Sequence, residues 1–354
     1  MSTLQISLAM AGGVVLAVIV AHSAWTTRRN SPKQAEPVTP EEAAAREATE
    51  RQEPAFDGSG ELPPAGADPS LSAMPLPQVE KKPGLDTLID VIASLALESV
   101  ASGDAALAAL PPTRRAGSKP FAVEGQNDAT GLWETPLPGQ RYRAFQAGVQ
   151  LANRMGALND IEYSEFVVKA QAFADAVNAA PDFPDMRHAV ARARELDQFA
   201  NDHDAQLTFV LRARGAAWSP GYVQQNASRL GFVPGAIPGR MALPAAVAGL
   251  PPVLSLSFDT QAALAEDPAQ SAIHQVALSL DVPQVQRTER PFVRLREMAV
   301  ALAASMDGVV TDQNGQPLRD EAMDGIGTDL EKLYDTLDAR DISAGSVQAR
   351  RLFS

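Results

Sequence analysis

The chain of 354 residues has no cysteine and only four histidines. Without a thiol it can form no disulfide, no Cys-ligated zinc or iron–sulfur site and no cysteine nucleophile. None of the histidines has a second ligand at metal-binding spacing, and Walker, Rossmann and GxSxG motifs are absent. The sequence therefore predicts no enzyme activity, no cofactor and no metal site. The histidines are His22, His188, His203 and His274.

Aromatic residues and positive charge are also scarce. Phe, Trp and Tyr make up 5% of the chain, and 43 acidic residues outweigh 30 basic ones to give a formal net charge of −13. Binding to the phosphates of nucleic acids needs clustered Lys and Arg, which this balance does not supply. We therefore expect no nucleic-acid partner.

Charge is missing altogether from residues 1–27, within which 6–24 form an apolar run. An uncharged stretch of about 20 residues crosses a hydrocarbon core about 30 Å thick. Trp25 then suits the membrane interface, and Arg28 and Arg29 follow, so the positive-inside rule places the N-terminus outside the cytoplasm. The sequence predicts a single transmembrane anchor over 1–27. The alternative is a cleaved secretory signal, which normally carries its basic residues before the apolar run.

The next segment, residues 28–83, has the composition of a linker. Between positions 31 and 83 it holds 10 of the 27 prolines, 10 acidic and 5 basic residues, and a single aromatic residue, Phe56. Such a composition buries too little apolar surface to offset the entropy of ordering the chain. We expect a disordered, Pro-rich, acidic tether with a mean reach of about 40 Å.

The last part of the chain, residues 201–354, alternates between strand and helix patterns. Period-two alternation predicts strands at 207–212, 253–258 and 276–282, and a short strand at 309–311. Helical spacing predicts helices at 219–229, 293–306 and 330–339. Antiparallel strands with helices gathered on one side predict an α+β fold, a two-layer sandwich whose other sheet face is open.

Residues 84–200 show a similar order of patterns. Strands are predicted at 88–93, 119–124 and 142–151, and helices at 104–110 and 163–177. Residues 166–174 hold the same place after a strand as 292–300 do in the later part. We therefore suggest two tandem related units, of which the first is degenerate. A helical insertion peculiar to the family is the alternative.

Several stretches resemble the ZipA family of membrane-anchored cell-division proteins. In the later part they are LTFVLR at 207–212, LGF at 230–232, LSLDVP at 278–283, MAVALA at 298–303 and GVVTDQN at 308–314, followed by the helix at 330–338. Near the start, AHSAWTTRR at 21–29 is similar to the junction between membrane helix and basic flank. Together with the order of anchor, Pro-rich linker and globular domain, these matches cover about half of the chain.

The resemblance implies that residues 201–354 form an FtsZ-binding domain whose open sheet face receives the apolar C-terminal tail of FtsZ. If Leu207, Phe209 and Leu211 point to the core, the residues between them lie on the open face. Ser257 and Ser279 then stand where a bulky anchor would be expected, and Arg212 could pair with an acidic residue of the tail. The predicted tail-binding residues are Thr208, Val210, Arg212, Ile237, Ser255, Ser257, Ala277 and Ser279.

We therefore expect a non-enzymatic protein of the bacterial inner membrane, with its N-terminus periplasmic and its domain cytoplasmic at the division site. Its partners would be the FtsZ tail and the membrane, and other division-ring proteins are possible further ones. The alternative is a periplasmic envelope adaptor held by a single anchor or released by signal cleavage. Fusion of a compartment-specific reporter after Ser354 distinguishes the two.

Overall fold

The computed structural model describes residues 32–36, 84–267 and 270–354. The predicted anchor at 1–27 and almost all of the predicted tether lie outside the described residues. Within these three ranges, no helix is long and apolar enough to cross a membrane.

The first unit is built on an antiparallel sheet with the strand order β2-β3-β5-β1-β8, and β4 pairs with β3. Helix α2 lies between β7 and β8, and helix α3 follows β8; α2 packs on the core side through Phe166 and Phe173, both fully buried. The small hairpin β6–β7 stands apart from the sheet. The elements are β1 (Asp90–Ser102), α1 (Gly103–Ala109), β2 (Arg115–Ala116), β3 (Lys119–Asn127), β4 (Trp133–Glu134), β5 (Arg141–Gln150), β6 (Ala152–Asn153), β7 (Gly156–Ala157), α2 (Asp160–Val177), β8 (Ala179–Asp182) and α3 (Met186–His203).

The second unit is built on a sheet with the order β10-β11-β12-β13-β9-β14, antiparallel throughout. Helix α6 packs on one face of it, where Leu295, Ala299 and Leu302 are fully buried. The elements are β9 (Gln206–Ala213), α4 (Pro220–Arg229), β10 (Val233–Pro234), β11 (Arg240–Leu243), β12 (Leu254–Ser257), α5 (Thr260–Ala263), β13 (Gln275–Asp281), α6 (Pro291–Met306), β14 (Gly308–Thr311), α7 (Asp320–Asp338) and α8 (Val347–Leu352). Two short 3₁₀ turns, Val282–Gln284 and Arg287–Glu289, join β13 to α6.

The two sheets share one connectivity. The order β3-β5-β1-β8 in the first corresponds strand for strand to β12-β13-β9-β14 in the second. In both, a helix ends on a left-handed residue, Asn178 (φ 54°) or Asp307 (φ 57°), and the next residue begins the edge strand. Counting back from these two caps pairs Phe166 with Leu295 and Phe173 with Leu302, and all four side chains are fully buried.

This alignment corrects one detail predicted from the sequence. Residues 166–174 correspond to 295–303 and not to 292–300, a shift of three residues that keeps the same helix face toward the core. The mixed helix and antiparallel-sheet architecture is confirmed. The limits drawn at 84, 200 and 354, and the common origin of the two units, stay predictions.

The C-terminal helix α8 joins the two units. Arg351 forms a two-pronged ion pair with Asp90 of β1 at 2.5 and 2.9 Å, and the Asp90 side chain is fully buried. On the other side, the Gln284 side chain donates to the backbone oxygens of Arg350 and Phe353. Arg154, in the β6–β7 turn, adds a second bridge to Asp204 and Asp281 of the second unit at 2.6 and 2.7 Å. Ion pairs therefore link the two units at two places.

Candidate functional site

The open face of the second sheet is defined by its cross-strand register. Opposite residues in neighbouring strands share a face, so the pairing of Ser255 with Ser279 and of Ser279 with Thr208 makes one row across three strands. Ser257, Ala277 and Val210 make the adjacent row, which continues to Thr311 at the edge. We call these two rows the small-residue face.

The opposite face of the same strands is packed. Phe209 and Leu211 are buried, and the ring of Phe209 meets that of Phe292 at the start of α6 with centroids 6.3 Å apart. Leu207 is half-buried against this core. Period-two alternation therefore directs the larger side chains inward and the small ones outward.

The small-residue face carries side-chain hydroxyls, and some of them are hydrogen-bonded within the sheet. The Thr208 and Ser279 hydroxyls hydrogen-bond to each other at 3.0 Å, and the Thr311 hydroxyl donates to the Val210 carbonyl at 3.0 Å. An apolar ligand that covers the Thr208–Ser279 pair therefore leaves that hydrogen bond intact. Such a surface suits an apolar side chain lying flat across the strands.

Three of the predicted residues have special positions. Ile237 is not on a strand: it lies in the β10–β11 turn, where its carbonyl accepts from the Arg240 N–H, and it is 54% exposed. Val210 shares the small-residue face but is only 8% exposed. Arg212 continues the same face one row further, and its buried Nε makes no hydrogen bond to any described residue.

The corresponding face of the first unit is covered by the chain itself. Register places Gly148 where the second unit has Ser279. The side chain of Leu85 lies against Gly148, so closely that a Cβ added there would stand 2.4 Å from Leu85 Cδ2. The Leu85 N–H donates to Glu124 Oε1 at 3.0 Å, and Arg351 donates to the Gly84 carbonyl at 3.1 Å. A short piece of extended backbone with one leucine thus occupies this face.

A groove of about 910 Å³ between α6 and α7 is a second candidate, which the sequence did not reveal. Its apolar lining includes Val300, which is 51% exposed, and Tyr334, whose buried hydroxyl has no hydrogen-bond partner among the described residues. Burial raises the pKa of Tyr334 to about 12. The rim arginines Arg287 and Arg296 are paired with acidic residues of α7.

Other shifted titratable groups serve the fold of the first unit. Burial lowers the pKa of Lys119, whose ammonium donates to Asn153 at 2.9 Å. Burial alone would raise the pKa of Glu162. Its carboxylate accepts hydrogen bonds from Ser118 and, in the capping box of α2, from the Asn159 backbone, and together these lower the pKa. Across the described ranges, no group of three His, Asp or Glu residues is arranged to hold a metal ion.

One comparison with known proteins bears on this unit. Residues 263–328 match the family model described as "ZipA, C-terminal FtsZ-binding domain". The match runs from the end of α5 through β13, α6 and β14 into α7, and it includes Ala277 and Ser279. No curated protein matches the chain. The resemblance to the ZipA family is confirmed, and the match supports a cell-division protein that binds FtsZ.

Proposed function

We propose that this ZipA-family protein binds the C-terminal tail of FtsZ on the small-residue face, and that it thereby tethers FtsZ polymers to the inner membrane and supports septum assembly. The observation that carries the proposal is the position of the family match. The matched strand β13 forms the middle of the face, and its outward residues are Ala277 and Ser279. The family matched is a binding family, and absence of enzyme activity stays a prediction.

The geometry supports an apolar tail that crosses the strands. The two rows present short side chains, and the Thr208–Ser279 hydrogen bond stays intact beneath an apolar tail that crosses them. Arg212, which makes no ion pair with a described residue, lies beside the rows and is positioned to receive a carboxylate of the tail. This face has few large side chains to act as anchors, so we expect modest affinity for a single tail.

Modest affinity is sufficient when many sites act together. An FtsZ polymer presents many tails to many anchored domains, so each further contact forms at a high effective concentration. The anchor predicted at 1–27 would place this domain in the cytoplasm, with the N-terminus periplasmic, at the division site. That orientation follows from Arg28, Arg29 and Lys33 after the apolar run and from the lack of charge before it.

Tail binding is tested with the full chain in lipid nanodiscs and a fluorescent peptide of the FtsZ C-terminal tail. Ala277→Glu places a charge in the centre of the face and should weaken binding at least tenfold. Val300→Glu makes the same kind of change in the α6–α7 groove and should leave binding unchanged. The melting temperature of each variant controls for folding.

The reverse result would contradict the proposal: if only Val300→Glu lost binding, the tail would bind in the α6–α7 groove and not on the small-residue face. No binding by the unaltered chain would remove the function itself. Orientation is tested separately with alkaline phosphatase fused after Ser354. Phosphatase activity in whole cells would favour the periplasmic adaptor.

A further inference from the structure

A short segment near the N-terminus docks on the second unit. Residues 32–36 are described, and Lys33 forms a parallel β-bridge with Trp218. The Lys33 N–H donates to the Ala217 carbonyl at 2.7 Å, and the Ser219 N–H donates to the Lys33 carbonyl at 2.9 Å. Both backbone groups of Lys33 are thus paired in the manner of an added strand.

Helix α4 holds the other end of the segment. The Glu36 N–H donates to Gln225 Oε1 at 2.8 Å, and Gln225 Nε2 donates back to the Glu36 carbonyl at 3.0 Å. Arg229 adds an ion pair to the Glu36 carboxylate at 2.5 Å. One glutamine side chain therefore hydrogen-bonds both the N–H and the carbonyl of Glu36, because an amide side chain has both an acceptor and a donor.

The end of α6 receives the Lys33 side chain. Its ammonium donates to the Met306 carbonyl at 3.2 Å and approaches Asp307 at 3.4 Å. A helix C-terminus carries partial negative charge, which favours a cation there. Pro32, one residue earlier, is buried. The docking strip formed by Trp218, Gln225, Arg229 and the end of α6 thus contacts the backbone of the segment, the ammonium of Lys33 and the carboxylate of Glu36.

We propose that this docking strip is a binding site for the segment that follows the membrane anchor, and that it holds the FtsZ-binding unit close to the bilayer. The spacing follows from the proposed anchor at 1–27. Only residues 28–31 separate that anchor from the docked segment, so the gap is about 17 Å at full extension. A free tether would instead give a mean separation of about 40 Å.

Because the chain has no cysteine, an engineered cysteine pair tests the docking directly. A Cβ built on Gly221 of α4 would stand 3.6 Å from the Cβ of Ala35, within the range that a disulfide requires. The full chain carrying Ala35→Cys and Gly221→Cys should form an intramolecular disulfide under mild oxidation. The matched control pair, Ala45→Cys with Gly221→Cys, uses the same tether and should form at least tenfold less.

A third variant adds Lys33→Pro to the first pair. Proline removes the N–H that donates to Ala217, so the disulfide yield should fall several-fold, whereas Lys81→Pro, at the far end of the tether, should have no effect. Equal yields for the Ala35 and Ala45 pairs would overturn the docking. Binding of the FtsZ tail peptide, measured on the same samples, reports on the proposed function independently.

The membrane spacing is measured by neutron reflectometry of the full chain in a supported bilayer. The gap between the bilayer and the protein layer should be about 17 Å or less in the unaltered chain and should approach about 40 Å with Lys33→Pro. An equal gap for both proteins would overturn the proposed short distance to the bilayer. Failure of the chain to insert into the bilayer would also overturn that distance, but the cross-linking result would still test the docking strip.

Discussion

The two units have one strand order but differ in what lies on the outward face of the sheet. In the first unit the central row is Ile92, Gly148 and Ala122, and Leu85 lies on it. In the second, the equivalent row is Thr208, Ser279 and Ser255, and its side chains remain partly exposed. The same strand order can therefore have its outward face covered by the chain or left partly open, and a few residues next to the sheet decide which.

The largest expected effect distinguishes the two arginine bridges that join the units. Arg351→Ala leaves Asp90 as an unpaired carboxylate whose side chain is fully buried, and we expect a loss of about 3–5 kcal/mol in the free energy of unfolding. Arg154→Ala releases Asp204 and Asp281, which are 23% and 34% exposed, and should cost only about 1 kcal/mol. Urea denaturation of both variants measures the difference, and equal losses would contradict it.

The Arg351→Ala variant should also show a defined pH dependence. Burial already raises the pKa of Asp90 above its ordinary value, despite the neighbouring Arg351. A carboxyl with a raised folded-state pKa destabilises the fold at pH values above that pKa, and the penalty disappears as the pH falls and both states become protonated. The loss should therefore be smaller at pH 4.5 than at pH 7.

The same substitution at the two equivalent central positions should have different consequences. Gly148→Leu forces Leu85 off the sheet and should destabilise the protein by about 1–3 kcal/mol, with no change in tail binding. Ser279→Leu adds an apolar anchor to the small-residue face, so stability should change by less than about 1 kcal/mol while binding of the apolar tail strengthens several-fold. Unfolding and peptide anisotropy measure the two effects, and a shared outcome would abolish the distinction.

The smallest expected effect tests what the units have in common. Asn178 and Asp307 both adopt left-handed conformations at the helix end, which glycine adopts without strain. Asn178→Gly should raise the melting temperature slightly, equivalent to about 0.5–1 kcal/mol. Asp307→Gly should gain less, because it also loses the contact with Lys33. A marked destabilisation at either position would mean that the caps are not equivalent.

Much of this fold is predictable from local pattern. The alternation at 207–212 and 276–282 predicts strands within one residue of β9 and β13, and it directs Phe209 inward. The first half of α7 lies outside the predicted helix, because Gly325 and Gly327 weaken the helical signal there; packing of Met323 and Leu330 stabilises it in the fold. Helix α3 has no counterpart among the predicted helices, although its buried Ala189, Ala193 and Leu196 follow helical spacing.

The candidate site is predictable only in part, because its decisive contacts join distant residues. Alternation alone assigns Thr208, Ala277 and Ser279 to one face. It cannot place Ile237, whose position depends on where the β10–β11 turn closes. Nor can it reveal that Leu85 covers Gly148 or that Lys33 pairs with Trp218, since each contact links segments far apart in the chain.

The β-bridge between Lys33 and Trp218 also determines how mechanical load would pass through the docked protein. Under the proposed anchoring, a pull between the membrane and a bound FtsZ polymer would enter the second unit at Lys33. The two backbone hydrogen bonds of the bridge, together with the contacts of Glu36 to Gln225 and Arg229, would bear that load. The chain from residue 37 through the first unit would carry none of it while this contact holds.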